Sequence, residues 1–396
     1  MMALMEILLL SLLAVVAVPV LVLLVQACLA KSSRAALLPD QQRPRIAVLV
    51  PAHDEAHGIA ATVTLIRSQL DEDAGDRVIV VADNCTDMTA SIAASAGAIV
   101  LERHDDARRG KGFALDHGVR AMKQDPPDAV VFIDADCIVL PGSVELLART
   151  ALASQRPVQA LDLMRAPRGA SLKIRIAEFA WVVKNRVRPL GFHRLGLPCQ
   201  LMGTGMAFPW PLIAQAQLAN GHIAEDMKLG IEMAKAGRPT LFCPEACVVS
   251  YFPVGDDAAR AQRTRWEHGH LGMIVHEGLP LLRDGIARRD RMLIALALDM
   301  CVPPVALLTL VVGGVFAAML VNAIFTGMQL PLMTAAAIFI SLAFAVWLSW
   351  WRFGRRIVSF GDLLSAVGYA FWKVPLYMKF VFSRQVEWVR AKRDAE

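Results

Sequence analysis

Two stretches of this 396-residue chain lack charge altogether: residues 7–30 and residues 300–351 contain no Asp, Glu, Lys or Arg. The 41 Lys and Arg and the 36 Asp and Glu are confined to the other 320 residues, at the density of an ordinary soluble protein. That arrangement excludes both a disordered chain and a wholly intramembrane transporter. Cysteine is sparse too: seven residues, at 28, 85, 137, 199, 243, 247 and 301, odd in number and scattered. A disulfide scaffold is excluded, and a reducing compartment fits. Cys243 and Cys247 lie four apart around Pro244, but no second Cys or His pair completes a zinc site, so they read as small buried residues. Basic runs interleaved with aromatics are also missing, which argues against nucleic acid as a partner.

What fills the uncharged stretches is apolar. A helix needs about 20 such residues to cross a bilayer. Residues 7–30 supply one span. Residues 300–351 suit two, joined by a turn around Asn322, Gly327 and Gln329, with Asp299, Pro303 and Pro304 at an interfacial helix end. A cleaved signal peptide is the rival for the first segment, but its start should be basic and carries only Glu6. Lys31, Arg34, Arg43 and Arg45 follow the first span, Arg283, Arg288, Arg289 and Arg291 precede the second, and Arg352, Arg355 and Arg356 follow the third. With three spans, all these clusters share one side, and the excess of Lys and Arg makes it the cytoplasm. The expected location is thus the cytoplasmic (inner) membrane, multi-pass, with the soluble domain facing the cytoplasm. Residues 357–383 read as interfacial or re-entrant helix, because only ten uncharged residues separate Asp362 from Lys373. The net charge of +5 lies wholly in residues 352–396, where membrane lipids with anionic head groups can pair with it.

Between the spans, apolar runs of strand length alternate with helical stretches. Strands are expected at residues 46–51, 77–82, 98–101 and 129–133, and helices at 57–70, 89–96 and 112–123. Continuous apolar strands are buried on both faces, so the fold class is α/β, a doubly wound parallel sheet of Rossmann type. Ligands of such sheets bind beyond the carboxyl ends of the strands. Acids gather there: His53-Asp54-Glu55 after the first strand, Asp83-Asn84-Cys85-Thr86-Asp87 after the second, Asp134-Ala135-Asp136 after the fourth. Converging carboxylates repel unless they hold a cation or hydrogen-bond a ligand. Asp134 and Asp136, two apart, can direct oxygens at one hard metal, Mg²⁺ or Mn²⁺. Other patterns fail. Arg109-Gly110-Lys111-Gly112 lacks the first Gly and the Ser/Thr of a P-loop, Gly203-Thr204-Gly205-Met206 lacks the third glycine of a dinucleotide fingerprint, and His53-Asp54-Glu55-Ala56-His57 misplaces the Glu of a zinc protease.

Taken in order, Pro51-Ala52-His53-Asp54-Glu55, Asp83-Asn84, Asp134-Ala135-Asp136, Gly203-Thr204-Gly205, Ala224-Glu225-Asp226 and Gln262-Arg263-Thr264-Arg265-Trp266 resemble the membrane-embedded, inverting family-2 glycosyltransferases, the group of cellulose, chitin and hyaluronan synthases and ceramide glucosyltransferase. The resemblance covers roughly residues 45–270. It implies a GT-A-like domain in which Glu55 and Asp83 look like contacts to the base and ribose of a nucleotide-sugar donor. Asp136 with Asp134 looks like the metal site on its diphosphate, and Lys111 lies where the nucleotide or phosphates approach. Asp226, beside Glu225, looks like the general base. Gln262, Arg265 and Trp266 look like the closing segment, Arg265 near the diphosphate and Trp266 against the acceptor sugar. Ala224 departs from the Thr often found there.

The resulting domain reading is residues 1–30, an N-terminal span; 31–44, a linker; 45–255, the GT-A-like catalytic domain; 256–291, interfacial helices; 292–351, a pair of spans; and 352–396, the amphipathic or re-entrant basic segment. The expected activity is metal-dependent, inverting transfer of a sugar, UDP-linked in the first instance, to a growing polysaccharide. The alternatives are a single transfer to a lipid acceptor, or a tethered binding module without turnover. Three spans are few for a secretion path, so a polymerase calls for a homo-oligomer or an export partner.

Overall fold

The computed structural model describes residues 2–31, 43–219, 224–253 and 256–382. Among these, residues 43–167 and 197–269 form one compact unit, and residues 2–31, 168–196 and 270–382 form another. The sequence reading of 45–255 as one domain thus runs across an excursion at 168–196.

The first unit is built on eight strands: β1 (Ile46–Ala52), β2 (Arg77–Asp83), β3 (Ile99–Arg103), β4 (Ala129–Phe132), β5 (Ile138–Val139), β6 (Val158–Arg165), β7 (Met206–Pro209) and β8 (Leu241–Tyr251). They join in one sheet in the order β3-β2-β1-β4-β7-β6-β8-β5. The half β3-β2-β1-β4 is parallel, as the apolar runs imply. Beyond β4 the expectation of a parallel sheet gives way to a mixed one, because β7 runs antiparallel to both β4 and β6. The connections after β4 are not all helical crossovers, and only such crossovers keep neighbouring strands parallel.

Alternate residues of the central strands feed two cores. Ile46, Val48, Val50, Val78, Val80 and Val131 pack into one; Ala47, Leu49, Ile79, Val81, Val130 and Phe132 pack into the other. Burial on both faces explains why these strands show no polar alternation. Helices Ile59–Arg67, Thr89–Ser95 and Lys111–Ala121 connect the parallel strands. The last lies hard against the sheet: a Cβ on Gly118 would stand 2.4 Å from Leu49 Cδ1. Cys243 and Cys247 are buried free thiols. Their strand pairs with β6 through a register shift in which Ala160 faces Cys243 and Leu161 faces Cys247, so Pro244 falls in a bulge where no ladder N–H is required.

The second unit is helical. Met2–Leu29, Val305–Thr326 and Gln329–Gly354 are long and apolar enough to cross a membrane. Gly327, at φ +75°, ends one helix and lets the next begin at Gln329. Helices Phe360–Trp372 and Val374–Phe382 follow, with 13 and 9 residues, each short of a span. Ser359 and Asp362 form a capping box on the first of them. Within this unit Asp299 is a buried partner rather than an exposed helix end. Gln26 Nε2 donates to its Oδ1 at 2.7 Å, and Arg188 Nη2 and Nε donate to the same oxygen at 3.0 and 3.2 Å. Gly191 admits the contact of helix Arg188–His193 with the N-terminal helix, since a Cβ there would stand 2.2 Å from the Gln26 carbonyl oxygen.

Candidate active site

The carboxyl ends of β1, β2 and β4 carry the acids singled out in the sequence. Residues paired in register at the end of β1 and β2, Ala52 and Ala82, set His53 beside Asp83, and the imidazole Nδ1 lies 2.7 Å from the Asp83 carbonyl oxygen. Asp54 and Asn84 both adopt positive φ, +51°, which turns the chain sharply out of each strand. The Glu55 N–H donates to Thr89 Oγ1 at 2.7 Å, and its carbonyl accepts from Gly58 and Ile59, which fixes the backbone of this half-buried residue just beyond β1. Asp83 is buried, held by Arg103 Nη1 at 2.6 Å and Asn84 Nδ2 at 3.1 Å.

A second cluster lies beyond β4. The Lys111 ammonium bonds Asp134 Oδ1 and donates to the Gly203 carbonyl at 2.8 Å. A small pocket next to it is lined by Lys111, Gln217, Glu225 and Asp226, with Leu115, Met206 and Leu229 on its apolar side. Glu225 and Asp226 open helix Glu225–Lys235, where the helix dipole favours negative charge. Ala224 offers that helix no side-chain cap, which is the local consequence of its departure from Thr. Gly203 is at φ +93°, and a Cβ there would approach Asp226 Oδ2 to 3.5 Å and Lys111 Nζ to 3.7 Å. The glycine keeps space between amine and carboxylate.

Electrostatics follow from that packing. Burial works against the charge on Lys111, but Asp134, Glu225 and Asp226 outweigh it and hold the amine above its ordinary range. Burial, then the charge of Asp226, push the Glu225 carboxyl up to about 7, with Lys111 opposing.

The Gly203-Thr204-Gly205 loop is tied to the sheet from below. The Asp134 N–H donates to Thr204 Oγ1 at 3.0 Å, and the Gly205 N–H donates to the Phe132 carbonyl at 2.9 Å. The sequence reading missed Gln159, a lone amide in the apolar strand β6. It is fully buried, donates to the Thr204 carbonyl at 2.8 Å and accepts from the Met202 N–H at 2.8 Å. Its one signal was an amide among the apolar residues Val158, Ala160 and Leu161. Arg103, which holds Asp83, was missed as well; nothing in the sequence linked it to the end of β2.

The structure therefore brings Lys111, Asp134, Gly203, Thr204, Gly205, Glu225 and Asp226 together, and sets Glu55 and Asp83 at neighbouring strand ends. Asp136 is half-buried two residues after Asp134. Gln262, Arg265 and Trp266 are half-buried on one face of helix Asp256–Met273.

Among the described residues, two groups could hold a cation. Asp54, Cys85 and Asp87 each offer a ligand atom, all within 4.8 Å of one another. Their carboxylates already serve the loop: Asp54 Oδ1 accepts from the Thr86 N–H at 2.7 Å, Asp87 Oδ1 from the Thr89 N–H at 2.9 Å, and Asp87 Oδ2 from the Ala56 N–H at 3.1 Å. Burial raises the Cys85 thiol, which keeps a poor ligand for a hard ion neutral. Asp134 and Asp136 offer carboxylate oxygens only, with Glu225 and Asp226 adding negative charge nearby. That all-oxygen set fits Mg²⁺ or Mn²⁺.

Among curated sequences, the low-salt glycan biosynthesis hexosyltransferase Agl6 of Haloferax volcanii is 34% identical over 94 residues, 24% of this chain. The match spans only 21% of that protein's length. Among solved structures, the mannosyltransferase PcManGT of Pyrobaculum calidifontis, in complex with GDP-Man and Mn²⁺, has the same fold, with a TM-score of 0.58, 18% identity, and coverage of 96% of this chain and 99% of that one. A glucosyl-3-phosphoglycerate synthase of Mycobacterium tuberculosis, in complex with Mn²⁺, UDP and phosphoglyceric acid, is 20% identical at a TM-score of 0.36, covering 56% and 76%. The profile described as glycosyltransferase like family 2 matches residues 44–269, more than half of the chain. This chain, with its GT-A-like Rossmann-type sheet and its acid-rich strand ends, belongs to the family-2-like glycosyltransferases.

Proposed function

We propose that the protein transfers one sugar, with inversion, from a nucleoside-diphosphate sugar to an acceptor presented at the cytoplasmic face of a membrane. The observation that carries this reading is the joining of Lys111, Asp134, Glu225 and Asp226 in one cluster beyond the sheet's carboxyl edge. Asp226 would take the proton from the acceptor hydroxyl, which makes that oxygen the nucleophile. A single base and direct displacement invert the anomeric carbon without a covalent sugar–enzyme intermediate. Glu55 and Asp83 would hold the base and ribose from the ends of β1 and β2. A divalent ion at Asp134 and Asp136 would stabilise the charge gathering on the leaving diphosphate. Arg265 would add its guanidinium to the same phosphates, and Gln262 and Trp266 would present the acceptor.

A lipid-borne acceptor is favoured by the presence of only three candidate spans among the described residues, few to enclose a polymer conduit. Polysaccharide elongation is the second reading, since the motif at Gln262, Arg265 and Trp266 is shared by polysaccharide synthases and a ceramide enzyme alike, and a homo-oligomer or export partner would then complete the path. Both readings are tested in membranes supplied with UDP- and GDP-linked sugars and Mn²⁺ or Mg²⁺. Nucleotide release is expected to fall by about 10²–10⁴-fold in Asp226→Asn. Equal release from wild type and variant removes Asp226 from the chemistry. Product length separates the acceptors, since one sugar on a lipid supports the first and a ladder supports the second.

A further inference from the structure

Lys111 joins Asp134 to the Gly203 loop in the α/β unit. It is the first residue of helix Lys111–Ala121, which Gly118 seats close against Leu49 of the sheet. The ammonium can move on its own flexible four-carbon stem without shifting that helix. The ammonium sits on Asp134 Oδ1, one of the oxygens an incoming metal would use, and on the Gly203 carbonyl. Beside it, the bare Cα of Gly203 leaves a gap reaching Asp226 Oδ2.

We propose that Lys111 is the resident counter-cation of this cluster: it occupies Asp134 while no metal is bound, and a divalent ion takes Asp134 by displacing it. The inference rests on the glycosyltransferase reading above. Its physical basis is competition for one oxygen. Mg²⁺ or Mn²⁺ coordinates a carboxylate oxygen at about 2.0–2.2 Å. A second cation hydrogen-bonded to that oxygen would lie within strong repulsion of the first. The released ammonium can swing through the gap at Gly203 and is then available to an anionic ligand. A nucleoside diphosphate, which brings both metal affinity and negative charge, relieves the competition. Metal alone therefore binds weakly to the wild type, and metal with nucleotide binds synergistically.

The test uses the full-length protein in detergent, with Mn²⁺ binding followed by electron paramagnetic resonance, alone and with UDP or GDP. Lys111→Gln is expected to bind Mn²⁺ alone about tenfold more tightly than wild type, and to gain less from added nucleotide. Lys111→Arg keeps the competing charge and should remain within about twofold of wild type. In parallel, Mg²⁺ alone should raise acetylation of Lys111 several-fold in the wild type, read by mass spectrometry against Lys123 and Lys235. Equal or weaker Mn²⁺ binding by Lys111→Gln, with wild type binding normally, overturns the inference and leaves the metal reading standing. Binding by neither protein overturns both. Unchanged Lys111 acetylation on adding Mg²⁺ also overturns the inference.

Discussion

At the scale of single residues, the cluster turns on carboxylates that crowd one amine. Glu225 has the clearest consequence. Its carboxyl titrates near 7 in the folded protein, above the ordinary carboxylate value, because of burial and the charge of Asp226. The folded state therefore binds more protons than the unfolded chain between the two values, and stability falls as pH rises through that window. Thermal melts of metal-free wild type should decline across it, and Glu225→Gln should flatten that decline. A slope unchanged in Glu225→Gln contradicts the assignment. Gln159 makes a different demand. Its amide satisfies Thr204 and Met202 from beneath the Gly-Thr-Gly loop, so Gln159→Leu strands both backbone groups. The expected cost is about 1–3 kcal/mol in stability. The donor KM should rise more than kcat falls, since the loop positions rather than reacts.

At the scale of elements, legibility followed burial. Strands β1, β2 and β4 were readable because both faces are covered, so their apolar runs are unbroken and end in acids. Their helices were readable from the segments between. Strand β5 has two residues, and β7 has four, which is too short for a period to show. Strands β6 and β8 pair through a bulge around Pro244 and include polar residues with buried partners, so composition disguised them. The cluster was legible only as separate motifs; Lys111 meets Asp134 across 23 residues and Gly203 across 92, separations no local pattern reports. Gln159 and Arg103 stayed hidden because each acts by holding another residue. The helix that carries Lys111 offers its own test. Gly118→Val drives a side chain into Leu49, a clash expected to cost about 1–3 kcal/mol. Melting should drop, because the clash lifts the helix from the sheet it packs on. A Gly118→Val protein with unaltered melting would show that the helix can lift away freely.

At the scale of the whole molecule, one sequence supports two differently built units. The α/β unit holds itself with two apolar cores; the helical unit adds a buried polar centre of Gln26, Arg188 and Asp299. Arg188 comes from the excursion at 168–196, Gln26 from the first apolar helix and Asp299 from the helix Arg291–Met300, so three distant segments close on one carboxylate. Arg188→Ala removes the guanidinium that Asp299 pairs with, and a loss of about 3–5 kcal/mol is expected. Thermal unfolding in detergent checks it, and adding Asp299→Ala to Arg188→Ala should recover part of the loss. Failure of the double variant to recover anything would assign the effect of Arg188 to packing instead.

The Arg352 guanidinium donates to the carbonyls of Ala27 at 2.7 Å and of Cys28 and Ala30 at 2.9 Å, at the carboxyl end of the first apolar helix. Those carbonyls have no partner further along their own helix. Synthesis runs from the amino end, so this clasp closes only after more than three hundred further residues have left the ribosome. The first helix therefore lacks this partner at its carboxyl end while the whole α/β unit is being made. Closure of the clasp is thus timed by the chain's own length, since every strand of the α/β unit is synthesised before the first helix is locked at its carboxyl end.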